Sequence, residues 1–131
     1  MKILVIDNSA TIRVMLKDFY KNLGYEVDEA KTSEEAIEFF EHSNYTLVTI
    51  SQMLTSLTGL MVIEKFREIE TLRKDKRITP ILMISTNDNI ETRVKAFEAG
   101  ASEFITKPFT FQELNDKSKE AIQPDNIFEG S

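Results

Sequence analysis

Apolar and polar positions along this chain switch repeatedly between two periods. Ile3-Leu4-Val5-Ile6 is an unbroken apolar run, the pattern of a strand buried on both faces. Ile12, Met15, Leu16, Phe19 and Leu23 then recur at spacings of three and four, one stripe of a helix. Ser9 is placed to cap its start, and Gly24 stands where a left-handed stop belongs. Tyr25 to Ala30 alternates, as an edge strand does. Thr32-Ser33-Glu34-Glu35 reads as a capping box opening a second helix, with Ala36, Ile37 and Phe40 on its apolar side. Leu47-Val48-Thr49-Ile50 is a third strand, and a loop from Ser51 to Thr58 ends at Gly59. A helix from about Leu60 carries Leu60, Ile63 and Phe66 inward and frays near Arg73. Pro80 opens a fourth strand, Ile81-Leu82-Met83-Ile84. Asn87 to Ala99 forms a fourth helix with Ile90, Val94 and Phe97 on its apolar face, closed by Gly100. Phe104-Ile105 is a short fifth strand, and Thr110 caps a last helix bearing Phe111, Leu114 and Ile122.

Strand and helix alternate five times, which implies an α/β, doubly wound fold: a parallel sheet joined by right-handed helical crossovers. A length of 131 residues and a 41% hydrophobic content suit one domain with one proper core. The patterned region is residues 1–123, and the polar stretch 124–131 reads as the start of a linker or a remnant of expression. The absence of cysteine excludes disulfides, thiolate metal sites and a cysteine nucleophile, and fits a reducing compartment. Apolar runs of about four residues fall far short of the roughly 20 that span a bilayer, and no signal peptide precedes the first strand. A cytoplasmic protein without a membrane partner is expected. The net charge of −6 argues against direct nucleic-acid binding. The basic cluster Arg73, Lys74, Lys76 and Arg77, diluted by Asp75, reads as a solvated helix end.

Open parallel sheets bind ligands beyond the carboxyl ends of their strands. Asp7 and Asn8 follow the first strand, Ser51 the third, Ser85 and Thr86 the fourth, and Thr106, Lys107 and Pro108 the fifth. Together with Arg13, Gly59-Leu60 and the run Ala99-Gly100-Ala101-Ser102-Glu103-Phe104-Ile105-Thr106-Lys107-Pro108-Phe109, these segments resemble the receiver domain of bacterial response regulators. The resemblance extends from Met1 to about Ile122. It implies a CheY-like, flavodoxin-like three-layer sandwich with strand order 2-1-3-4-5. Receivers take a phosphoryl group from a histidine kinase onto an aspartate after strand three. Two acids after strand one help that aspartate hold Mg²⁺. A hydroxyl after strand four and a lysine after strand five contact the phosphoryl group, and an aromatic on strand five moves with the switch. The Lys-Pro bond is cis in the family. Output passes through helix four, strand five and helix five.

This chain departs from that pattern where the chemistry is densest. Ser51 stands at the acceptor position, Asn8 replaces the second acid, and Gln52 to Gly59 has neither the usual proline nor an acid. Asp7, Ser85, Thr86, Lys107, Pro108 and the strand-five aromatic, as Phe104, remain. One carboxylate facing one ammonium sums to about zero, so the electrostatic reason for binding Mg²⁺ is largely gone, and neutral oxygens hold hard cations less well. Lys107 is expected to pair with Asp7 or hydrogen-bond Ser51. A serine hydroxyl is a weak nucleophile without a base, and His42, the single histidine, follows the second helix at the opposite rim. The expectation is therefore a pocket with no cofactor, weak or no metal at Asp7 and no enzymatic activity beyond residual autophosphotransfer. Signalling would proceed by docking to a kinase, an output domain or another regulator through helix four, strand five and helix five, with homodimerisation left open. Two alternatives stand: a phosphoacceptor at Ser51, and a flavodoxin-like small-molecule or phosphate binder using Asn8-Ser9-Ala10-Thr11. Among the remaining residues, Ser85 is expected to cap its loop and Phe104 to serve as core or partner anchor. His42 should face the helix dipole, and Met53 and Leu54 form either buried loop or contact patch.

Overall fold

A computed structural model of the chain describes residues 1–123, so the expected linker start at 124–131 lies outside the described residues. The strands are β1 (Lys2–Ile6), β2 (Glu26–Ala30), β3 (Leu47–Ser51), β4 (Ile81–Ser85) and β5 (Glu103–Thr106). Between and after them run α1 (Ala10–Asn22), α2 (Ser33–His42), α3 (Gly59–Thr71), α4 (Ile90–Ala99) and α5 (Phe111–Ile122). All strand pairs are parallel and the sheet order is β2-β1-β3-β4-β5, as expected. Ile6 pairs with Ile50, Ser51 with Ile84, and Ser85 with Thr106. That register ends β1, β3, β4 and β5 at one rim, which gathers the residues following each strand.

Alternate strand residues feed the two faces. Leu4 and Ile6 join a core with Phe40, Val62, Ile63, Phe66 and Ala96 beneath α2, α3 and α4. Ile3 and Val5 join a second core with Leu16, Tyr20 and Leu114 beneath α1 and α5. Phe40 and Phe66 stack with ring centroids 4.0 Å apart, tying α2 to α3. Tyr20 closes the other side, its hydroxyl 2.7 Å from Ser118 Oγ on α5.

Local chemistry accounts for the helix starts. Ser9 Oγ accepts from Ile12 N at 3.3 Å, and Thr110 and Glu113 form a full capping box. At α2 the box is shifted: Thr32 Oγ1 accepts from Glu35 N, while Glu35 Oε1 accepts from Lys31 N, one residue before the cap. Gly100 ends α4 at φ +119, and a Cβ there would lie 2.9 Å from Arg67 Cγ and Nε. Arg67 uses that space to donate to the Gly100 carbonyl, to the Thr79 carbonyl and to the buried Glu70 carboxylate.

Three apolar assignments differ from the pattern reading. Leu23 and Phe111 are 52% and 57% exposed, whereas Tyr20, outside the expected stripe, is buried. Tyrosine's ring fills a core while its hydroxyl needs one partner, which Ser118 supplies. The third is α4, which begins at Ile90 with Asn89 as cap rather than at Asn87, and whose Ile90, Val94 and Phe97 face outward. Its buried residue is Ala96, and Ala99 packs partly buried on the same core. The basic cluster is a helix end, but not merely a solvated one. Arg73 donates to the Phe40 carbonyl and lies 4.8 Å over the Phe40 ring, and Arg77 donates to the Tyr45 carbonyl.

Candidate functional site

Asp7 follows β1 and is only 2% exposed. Its Oδ1 accepts from Ser9 N at 2.8 Å, a local turn set by an Asp two residues before a helix-capping Ser. Its Oδ2 lies 3.4 Å from Lys107 Nζ, so of the two expected partners for Lys107 the structure selects Asp7. Lys107 is delivered by β5 and anchored through its backbone N–H, which donates to the Ser85 carbonyl at 2.8 Å. The Lys107–Pro108 peptide bond is cis, as the resemblance implied.

Ser51 ends β3 and is buried; its Oγ accepts from Met53 N at 3.2 Å. Ser85 ends β4 and is buried; its Oγ accepts from Asn87 N at 3.1 Å, the loop-capping geometry expected of it. Both hydroxyls are thus acceptors in local turns. Gly59 explains how the following helix approaches them: a Cβ there would sit 2.3 Å from the Ser51 carbonyl oxygen. Gln52 reinforces the same junction by accepting from Leu60 N.

These groups surround a cavity of about 400 Å³ lined by Asp7, Asn8, Ser51, Ser85, Thr86 and Lys107, with Met53 at its side. Asn8, Thr86 and Pro108 are exposed. Met53 is 72% exposed, whereas Leu54 packs on the core, so the loop divides between the two expectations for it. Phe104 is buried, with the Arg93 guanidinium 5.2 Å from its ring centroid. His42, at the end of α2, bonds the Glu38 carbonyl through Nδ1 at 2.8 Å and stays apart from the cavity.

Two positioning residues carried no assigned role in the sequence reading. Arg13 Nη1 donates to the Asp7 carbonyl at 2.7 Å while its Nε pairs with Glu29 on β2. Ser33 Oγ lies 2.8 Å from the Thr55 carbonyl and accepts from Leu57 N, tying the β3–α3 loop to α2. The hydroxyls of Ser33 and Ser56 donate to the Glu34 carboxylate and hold its pKa below the ordinary value. No short-range pattern marks the contacts of Arg13 or those of Ser33 with the β3–α3 loop, because each joins separate elements.

The sheet order and this strand-end constellation coincide with a match to the family model described as "Response regulator receiver domain" over residues 3–119. The chain belongs to the response-regulator receiver family. The receiver is 35% identical over 113 residues to the transcriptional regulatory protein ResD of Bacillus subtilis, an alignment covering 86% of this chain and 44% of ResD. It is 33% identical over 113 residues to SrrA of Staphylococcus aureus, again covering 86% of this chain and 44% of the relative. The receiver thus spans less than half the length of these curated relatives. Among solved structures it is similar to a two-component response regulator from Clostridium difficile, with TM-score 0.84 and 25% identity over 96% of this chain and 98% of the other. It is also similar to the Vibrio cholerae chemotaxis protein CheY4, with TM-score 0.82 and 25% identity over 92% and 97% of the two chains. Receivers of this family work with kinases and output domains in two-component signalling. Among the described residues, no helix of this receiver is long and apolar enough to cross a membrane.

Proposed function

We propose that this receiver signals by docking rather than by aspartyl phosphorylation, and that the docking face comprises α4, β5 and α5. The observation that carries the reading is the residue set at the strand ends: Ser51 occupies the acceptor position, and Asp7 is bound to Lys107 at 3.4 Å. A carboxylate attacks a phosphohistidine as an anion, whereas a serine hydroxyl needs a base. Among the described residues, no hydrogen bond joins Ser51 Oγ to a carboxylate or to His42.

The donor set also suits Mg²⁺ poorly. Both Asp7 oxygens are engaged, and Asn8 and Ser51 offer only neutral oxygens. Among the described residues, no group of three or more acidic, histidine or cysteine side chains is placed to hold a metal ion. An ion pair at roughly 4 Å and an effective dielectric of about 20 is worth about 4 kcal/mol before desolvation, so Lys107 takes the place a divalent cation would otherwise fill.

The docking face has the right character for a partner. Ile90, Val94 and Phe97 form an exposed apolar stripe on α4. Beside it a groove of about 520 Å³ is lined by Arg93, Phe104, Thr106, Glu113 and Lys117. A histidine kinase, an output domain, another regulator or a second copy fits such a face, and the transcriptional regulatory proteins ResD and SrrA point to a gene-regulatory setting. The test is intact-mass analysis after incubation with acetyl phosphate and Mg²⁺. The expected mass is unchanged, and the Asn8→Asp/Ser51→Asp variant gains one phosphate. A phosphate on Ser51 in the parent protein would overturn the reading in favour of a live serine acceptor. Saturable amide shifts near Asp7 at submillimolar Mg²⁺ would overturn the metal-independent site.

A further inference from the structure

α4 is the helix least embedded in the fold. Ala96 is its buried side chain, while Ile90, Val94 and Phe97 are 80%, 49% and 46% exposed. Ala96, with Ala99 packed beside it on the core, offers little apolar area with which to seat a helix of ten residues. Polar and aromatic contacts must therefore supply much of its attachment, and two arginines do so. At the C-terminal end, Arg67 of α3 donates to the Gly100 carbonyl through Nε at 3.1 Å and Nη2 at 2.7 Å. That guanidinium is itself fixed by Glu70 and by the Thr79 carbonyl. In mid-helix, Arg93 reaches β5 and lies over the face of the buried Phe104 ring at 5.2 Å.

The Arg93 contact has no alternative partner. Among the described residues its guanidinium makes no ion pair and donates no hydrogen bond, although Asp88 and Glu113 line the same groove. Its interaction is with the ring. Phe104 has no hydroxyl, and the neighbouring Thr106 Oγ1 is buried without a partner, so neither side chain offers α4 a polar bond. We propose that Arg93 is a latch. It holds the central turns of α4 on β5 by resting on Phe104, and when it lifts, α4 swings from the end pinned by Arg67. For its consequence, partner access to the α4–β5–α5 face, the latch rests on the docking reading.

Amide hydrogen exchange on the full chain tests it without any partner. Arg93→Ala is expected to speed exchange of the amides at 94–97 by about fivefold while leaving β1, β3 and α5 unchanged, and Arg93→Lys should fall between. In a Phe104→Leu background, where the ring is already gone, Arg93→Ala should add no further acceleration in α4. This comparison holds even when Phe104→Leu lowers global stability, because both members of the pair share it. Unchanged exchange in Arg93→Ala, or equal acceleration with and without the ring, overturns the latch and leaves the docking reading standing. Phosphate transfer to Ser51 does the reverse.

Discussion

Asp7 is almost wholly removed from water, and a carboxylate that dry needs its hydrogen bonds and its counter-ion. Ser9 N supplies the first and Lys107 the second. Removing Lys107 leaves a buried charge unpaired, a change far costlier than the net worth of the pair. Lys107→Ala is expected to lower stability by about 2 kcal/mol in urea denaturation at neutral pH, the Lys side chain being partly exposed. Asp7→Asn combined with Lys107→Met should recover much of that loss. If Lys107→Ala is neutral, the pair does not hold the pocket. Asp7 was legible in the sequence as the first residue beyond a buried strand. Its partner was narrowed to two candidates and chosen only by the geometry, since the pair is separated by 100 positions.

At the scale of elements, the strands were the most legible part of the chain. Ile3 to Ile6 and Ile81 to Ile84 are continuous apolar runs that suit a strand covered on both faces, and each leads into or out of turn-forming residues. Helix starts followed from Ser9, Thr32 and Thr110, whose side chains accept bonds from backbone N–H groups within three residues. Helix faces were less legible. The stripe Ile90, Val94 and Phe97 has a helical period, but periodicity states that residues share a face, not that the face is covered. Gly59 poses a sharper element-level question, because α3 abuts the end of β3 so closely. Gly59→Ala would drive a Cβ into the Ser51 carbonyl, so the two elements must part. The expected result is a loss of about 2 kcal/mol and amide shift changes concentrated at Ser51 and Gln52. Gly100→Ala should cost a similar amount in thermal unfolding, from its left-handed φ and its contact with Arg67.

The whole molecule joins its two helical layers through a sheet, and the α1–α5 layer is closed by the Tyr20–Ser118 bond. Burial pushes the Tyr20 hydroxyl well above its ordinary value of 10, outweighing the Ser118 bond, which acts in the opposite direction. A raised folded-state pKa contributes stability that is complete below the unfolded value and lost as pH rises through the range above it. Stability should therefore decline above pH 10 with a slope of up to about 1.4 kcal/mol per pH unit. Tyr20→Phe should cost about 1 kcal/mol at neutral pH, by orphaning Ser118 Oγ, and should remove that part of the alkaline slope. Denaturation curves from neutral to alkaline pH check both. The proposed docking would also be a property of the assembled surface. Ile90→Glu or Val94→Glu should leave stability within about 0.5 kcal/mol, because both positions face outward, and should abolish capture of a kinase or output partner.

The sequence alone determined the α/β alternation, the strand ends at which the site had to form, and the neutral side chains at positions 8 and 51. Those are matters of local pattern and of side-chain chemistry, which each residue carries wherever it is placed. The tertiary structure alone chose Asp7 as the partner of Lys107, buried Tyr20 against Ser118, turned the α4 stripe outward and set Arg93 over Phe104. Each joins elements distant along the chain, and which groups meet is decided by how the layers pack on the sheet. Periodicity and capping do not encode that packing.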